Sequence, residues 1–342
     1  MPGTIGQTDV VNVADIIVPE IWLPYMIQRS VELSELWQAG IVTADAEFAS
    51  LANAGGQTIN MPFFNALSGN DQVLSSSGAL TTKKLGTGQD LAVIHNRGDA
   101  WAYNDMARLL AGADPAAAIA DMVGTYWAQK SQSQLFSTLK GVFAVASMAG
   151  NLHSIAHTSG GVAAVSNCFT GETFVDAKQK LGDHKSLLTA IAMHSMVEAS
   201  LVKQDLIDNV PASDGKSMLK FFQGLRVIID DTMPYRTLDS DVAYTSYIFG
   251  QGAVGLGVGT FDAPAQGGTG SWQLEFGRDA LKGESVMINR RRFILHPRGV
   301  KWLGGSMAGE SPTNTELESS SNWLRVYDPK LIRVVKFEHN II

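Results

Sequence analysis

Asp230 and Asp231 are adjacent carboxylates at the end of the apolar run Leu225–Ile229, the right groups for a divalent cation. Neighbouring strand residues point to opposite faces, so the spacing favours a solvated strand end. His153 and His157, four residues apart, would share one face of a helix, but Gly150, Ser154 and Gly160 make that segment a poor helix. Neither His-Glu-x-x-His nor Cys-x-x-Cys occurs. Gly255-Leu-Gly-Val-Gly-Thr260 lacks the third glycine of a dinucleotide fingerprint and the helix that should follow it. Gly304-Gly-Ser-Met-Ala308 has alanine where a nucleophile elbow needs glycine. Cys168, the sole cysteine, reads as packed rather than reactive. Arg290-Arg291-Arg292 alternates along a strand, so a solvated face is expected, with a neighbour's carboxylates or DNA phosphates as the sharper reading. No constellation supports catalysis, a cofactor or a metal.

The composition sets the frame for these side chains. The 342 residues, 45% hydrophobic and 17% charged, suffice for a sizeable core and about two domains. A net charge of −7 argues against a protein that grips nucleic acid by itself. One cysteine excludes an internal disulfide and fits a reducing cytoplasm. No secretory signal is expected, because the start is polar and Asp9 precedes any apolar run. The chargeless stretch from Val242 to Phe261 is interrupted by five glycines. It is expected to be a strand running into a Gly-rich turn, not a membrane span. Gly141–Gly171, free of Asp, Glu, Lys and Arg, is expected to be a loop.

The elements follow from periodicity and breakers. Residues 1–15 read as a mobile arm. Ile21, Trp22, Tyr25 and Met26, then Leu33, Leu36 and Trp37, fall at helical spacing, with Gly40 placed to end the second helix. They suit a pair of core helices or an arm packed on a neighbour. Thr58-Ile-Asn-Met-Pro-Phe63 alternates, and Leu91–His95 supplies the return of a hairpin. Pro62 cannot donate to a ladder, which puts this hairpin at an edge or in a free ribbon. About two dozen polar, Gly- and Ser-rich residues join the strands, a length uncommon inside a compact domain. Asp114-Pro115 opens a helix with Ile119, Met122, Val123, Tyr126 and Trp127 in one stripe, extended by Leu135, Phe136, Leu139, Val142 and Phe143. About 28 helical residues would be about 42 Å long, far beyond the globular mean.

From Thr170 the pattern becomes α/β. Glu172–Leu181 and Ser195–Ile207 read as helices, the first with Phe174, Ala177 and Leu181 inward, the second with Met196, Ala199, Leu201 and Leu206. Leu187–Met193, Leu225–Ile229, Val242–Phe249, Trp272–Phe276, Val286–Leu295 and Val300–Leu303 read as strands. Ser311–Asn322 is expected to be a polar loop, and Leu331–Phe337 a closing strand.

The order of these parts resembles a known family. The polar-tipped hairpin comes first, then the long helix at Asp114-Pro115. The phrases Leu188-Thr-Ala-Ile-Ala-Met-His194, Gly224-Leu-Arg-Val-Ile-Ile-Asp-Asp231 and Tyr244-Thr-Ser-Tyr-Ile-Phe-Gly-Gln-Gly-Ala253 follow, and Leu331-Ile-Arg-Val-Val-Lys-Phe337 closes the chain. This is similar to tailed-bacteriophage major capsid proteins of the Hong Kong 97-type fold, from Val18-Pro19 to Asn340. The resemblance implies an α+β chain divided into an N-terminal arm (1–55), an extended loop (56–97), a peripheral domain with the spine helix (98–165), an axial α/β domain (166–285) and a return to the peripheral domain (286–342).

It also implies a non-enzyme that self-assembles into hexamers and pentamers of an icosahedral shell. The shell would enclose double-stranded DNA without sequence-specific binding. It would be built in the host bacterial cytoplasm and kept in the virion. A hairpin starting near residue 56 leaves no room for a fused scaffolding segment, so a separate scaffolding protein is expected, with a portal protein and optionally a decoration protein. Lys83 and Lys84 lie in the segment whose lysine some members crosslink to an asparagine; no asparagine partner follows from the sequence. The expected intersubunit contacts are Lys83 and Lys84 with Asp121, Glu32 or Glu35, and Trp22 and Trp37 packed on a neighbour. Two rival readings are a bacterial nanocompartment shell of the same fold and a soluble α/β enzyme with a lid hairpin.

Overall fold

The computed structural model describes residues 10–11, 39–44, 46–53, 56–65, 70–74, 79–104, 115–157, 163–211, 218–238, 241–259, 272–279 and 281–342. In chain order, these form β1 (Val10–Val11), β2 (Val42–Ala44), α1 (Ala46–Ala52), β3 (Thr58–Phe64), β4 (Thr87–Asn104) and α2 (Pro115–Phe143). Next come β5 (Leu152–Ser154), α3 (Gly171–Gln179), β6 (Leu188–Met193), α4 (Ser195–Lys203), β7 (Asp208–Pro211), β8 (Met218–Phe222), β9 (Leu225–Ile229), β10 (Tyr235–Leu238) and β11 (Asp241–Gly250). The chain ends with β12 (Val254–Gly259), β13 (Trp272–Asp279), β14 (Glu284–Pro297), β15 (Val300–Trp302), α5 (Asn314–Glu318), β16 (Trp323–Arg325) and β17 (Val334–His339).

Two long strands organise the first sheet, whose order is β1-β4-β14-β12-β2 with β3 on β4 and β13 on β14. β4 gives its first half to β3 and its second to β14. Among the described strands β3 pairs only with β4, which is where Pro62 is tolerated. Ile59, Met61 and Phe63 share its more buried face, as their alternation predicts. The return strand is far longer than the predicted Leu91–His95, because β4 runs 18 residues and its polar second half is held by β14. Val10 and Val11, expected in a mobile arm, pair in parallel with Ala102 and Tyr103.

The glycines after β11 do not make the predicted turn. The turn is confined to Gln251–Ala253, and β12 carries Gly255, Gly257 and Gly259 through regular strand. The reason is α1, which lies directly on them. A Cβ at Gly257 would stand 2.5 Å from the carbonyl carbon of Phe48, and one at Gly255 would stand 1.9 Å from the Phe48 ring. Side chains on this face would push the helix off the sheet.

The second sheet has the order β5-β17-β11-β6-β9-β8-β7, with β10 on β11. Its strands alternate between two cores. Ile191, Met193, Val227, Ile248 and Phe337 pack under α3 and α4, against Phe174, Ala177, Val197 and Leu201. Ala190, Ala192, Ile228, Tyr247 and Phe249 face the second half of α2, with Leu135, Phe136 and Leu139. The α2 helix spans 29 residues, as its breakers and stripe predict, and so bridges the two sheets.

Other segments also differ from expectation. α4 ends at Lys203, where Asp205 takes φ 55°; Val197 and Leu201 face inward while Met196 is exposed. Gly141–Gly171 is not simply a loop. α2 runs on to Phe143, and β5 joins β17 in parallel. Fully buried Asn151 ties that region together through Nδ2 contacts to the carbonyls of Pro329, Ile332 and Val334. Ser311–Asn322 contains α5, opened by a reciprocal Thr313–Glu316 cap and anchored by buried Leu317. The last strand starts at Val334 because Asp328 caps a single 3-10 turn over Pro329–Leu331. The region 286–342 contributes to both sheets: β14 stands in the first and β17 in the second.

Candidate assembly surfaces

The hairpin tip is exposed but not formless. Gln72 Nε2 donates to the Thr81 carbonyl and its Oε1 accepts from the Thr81 N–H, both at 2.8 Å. One amide thereby clamps the outgoing limb to the returning limb, much as a strand neighbour would. Lys83 Nζ donates to the Asn70 carbonyl beside it. These bonds leave large apolar side chains in solvent: Val73 is 94% exposed and Leu74 78%, with Phe64, Leu80 and Leu85 also exposed. Their burial would be favourable, and nothing among the described residues of this chain provides it.

At the root of the same hairpin lies an open cleft of about 580 Å³. Met61 and Phe63 of β3 form one wall, and Tyr327 and Leu331 another. Phe63 meets Tyr327 edge-on at 4.6 Å. Arg298 and Arg333, both exposed, stand on the rim, Arg298 over the Phe48 ring and Arg333 donating to the Gln251 carbonyl. Buried Asp90 lies at the base, where it accepts from His296 Nε2 at 3.0 Å and from the Gly299 N–H at 3.4 Å. No local motif reveals this cleft, because its walls come from residues 48, 61–63, 90, 251–253, 298 and 327–333.

The expected contact residues fare unequally. Lys84 is exposed, while Lys83 is turned back onto its own loop. Asp121 falls on α2. Glu32, Glu35, Trp22 and Trp37 lie outside the described residues.

Two of the three arginines, Arg291 and Arg292, do not form the solvated face expected of the triplet. Arg291 is sandwiched 5.6 Å from Trp127 and 5.4 Å from Phe293, donates to Ser131 Oγ, and is pulled down to about 10 by burial. Arg292 Nε donates to the Ala52 carbonyl at 2.8 Å, anchoring α1. These guanidiniums hold this chain together rather than reaching outward.

The remaining candidates resolve into structural roles. Asp230 is buried, and its Oδ1 accepts from the N–H and hydroxyl of Thr232; Asp231 is exposed and sits beside His194. His153 stacks on Phe337 from β5, off any helix. Cys168 is buried, and that burial raises its thiol pKa. Among the described residues, no three His, Cys, Asp or Glu side chains are grouped to hold a metal. Among the same residues no helix is long and apolar enough to cross a membrane.

Comparison with known proteins gives the context for these surfaces. A family model described as "Major capsid protein 13-like" matches residues 48–330. The major capsid protein of Bacillus phage SPP1 is 45% identical over 333 residues, covering 96% of this chain and 98% of that protein. Among solved structures, the capsid of Ralstonia phage GP4 superposes with a TM-score of 0.61 at 10% identity, covering 90% of this chain and 91% of that one. The capsid asymmetric unit of cyanophage Pam1 gives 0.55 at 11% identity, over 89% of each chain. The two structures are alike in fold.

Proposed function

The chain belongs to the major capsid protein 13-like family and has the Hong Kong 97-type capsid fold; from that premise we propose how it builds a shell. It is a phage major capsid protein. In the proposed assembly, hexamers and pentamers tile an icosahedral container for double-stranded DNA, which is held without sequence readout. The acidic net charge of −7 suits a container filled by a motor rather than by affinity. Identity of 45% to a phage capsid protein favours a genome shell over a nanocompartment. The chain acts as structure and not as an enzyme, is assembled in the host cytoplasm, and works with separate scaffolding and portal proteins and optionally a decoration protein.

In this reading residues 1–55 form an arm and 56–97 the extended loop. Residues 98–165 and 286–342 form the peripheral domain and 166–285 the axial one, with β5 and β17 completing the axial sheet and β12 and β13 lying in the first sheet. Lys84 pairs with carboxylates of the adjacent subunit, Asp121, Glu32 or Glu35, while Trp22 and Trp37 anchor the arm on a neighbour. Lys83 instead shapes the tip through Asn70.

The observation that carries the proposal is the tip, a clamped loop with Val73 and Leu74 in solvent. Ordering such a projection costs conformational entropy that a lone subunit does not recover by burial. Neighbours in a closed shell recover it. Replacing Val73 and Leu74 together with aspartate should leave the subunit folded by circular dichroism and abolish particles in a sucrose gradient. Undiminished particle yield would contradict the role given to the tip.

A further inference from the structure

We propose that the Asp71–Leu74 edge of one subunit's hairpin tip seats in the cleft at the hairpin root of a second copy of this chain. The proposal rests on the capsid reading above and names the surface that receives the tip.

Tip and cleft complement each other. The tip edge is one acid followed by two large apolar side chains, Asp71, Val73 and Leu74, all exposed. Gln72 between them is turned inward onto Thr81, and Lys83 is occupied by Asn70, so neither side chain competes at that edge. The cleft offers the reverse: apolar walls of Met61, Phe63, Tyr327 and Leu331 beneath a rim of Arg298 and Arg333. Asp90, the acid among its described lining residues, is already engaged by His296 and the Gly299 N–H, so it does not oppose an incoming carboxylate.

The two surfaces belong to one hairpin but do not meet within a chain. Met61 and Phe63 line the cleft while Val73 stands 94% exposed. A tip that fills the root cleft of the next copy, whose tip fills the one after, makes a head-to-tail contact. Such a contact closes into a ring when the rotation between copies allows, and rings are the units that the capsid reading requires.

The test is photo-crosslinking with the full chain, expressed with its scaffolding protein. Val73 is replaced by benzoylphenylalanine, and isotopically heavy and light subunits are mixed before assembly. A second variant carries the probe at Leu80, in case the probe at 73 blocks seating. Expected are heavy–light crosslinked peptides containing residues 61–63, 252–253 or 327–333. Crosslinks from intact particles to any other region, the arm and α2 included, overturn the proposal and leave the capsid reading standing. Crosslinks confined to one isotope do the same. If unsubstituted protein stays a folded small oligomer under these conditions, the capsid reading fails and the proposal with it. A charge pair gives an independent readout. Asp71→Arg should cut particle yield at least tenfold, and Arg333→Glu should restore it in the double variant; restoration absent, the Asp71–rim contact is wrong.

Discussion

His296 Nε2 donates to Asp90 Oδ1 across 3.0 Å, with only 1% and 7% of the two side chains exposed. This bond ties the root of the projecting hairpin to the end of β14, and Asp90 also accepts from the Gly299 N–H. The direction in which the tip projects therefore depends on a buried polar joint.

We predict that Asp90→Ala destabilises the isolated subunit by about 3 kcal/mol, because two buried donors lose their acceptor at once. Asp90→Asn keeps an acceptor oxygen and should cost less. Urea unfolding of unassembled protein measures both. A loss under about 0.5 kcal/mol for the alanine variant, the range of an ordinary surface substitution, would show the joint to be unimportant.

Acid should weaken the fold before it protonates most carboxylates. Burial, then Arg97 and His296, lowers His95 from 6.5 to about 3, and burial lowers His339 to about 4. The unfolded chain binds these protons near pH 6.5 and the folded chain does not, so the stabilising contribution is full above that pH. It is lost as pH falls from about 6.5 toward 4 and 3, at about 1.4 kcal/mol per pH unit for each histidine. His95→Leu and His339→Gln should each flatten this acid limb in unfolding titrations between pH 7 and 4. An unchanged slope in both variants would contradict the assignment.

The two close glycines of β12 should answer differently to rescue. The nearest atoms to a Cβ at Gly255 belong to the Phe48 ring, whereas those at Gly257 are the Phe48 carbonyl group and Cβ, which an alanine at position 48 keeps. Each alanine should cost about 1–3 kcal/mol or more by overpacking. Phe48→Ala should relieve the first clash and not the second, giving a coupling energy only with Gly255→Ala. Equal coupling at both sites would mean that α1 shifts as a whole.

At the tip, Lys84→Glu should lower assembly at low salt, with the deficit shrinking as ionic strength rises, because an exposed pair contributes only about 0–1 kcal/mol and is screened. Lys83→Glu should act through the loop and show little salt dependence. Light scattering during assembly distinguishes them. A salt-independent deficit for Lys84→Glu would make packing, not charge, its role.

The limits of α2 were legible because Pro115 and the Ile119–Phe143 stripe are local signals, and Pro62 likewise placed β3 at an edge. The long β4 was not legible, because its polar half is held by β14 almost two hundred residues away in sequence. The glycines of β12 read as a turn because the helix that requires them lies at residues 46–52. Arg291 read as solvated because Trp127, which covers it, is remote in sequence. The root cleft had no signal at all, as six separated segments build it. Local chemistry revealed the parts and their order; the surfaces depend on long-range pairing.

The most direct test of the capsid account is electron microscopy of the full chain, expressed alone and with the scaffolding protein proposed above. The account predicts closed, hollow particles hundreds of ångströms across, with fivefold and sixfold capsomers built from this chain and the hairpin tips resting on neighbouring subunits. A folded, monodisperse monomer or small oligomer that never closes into shells would contradict it.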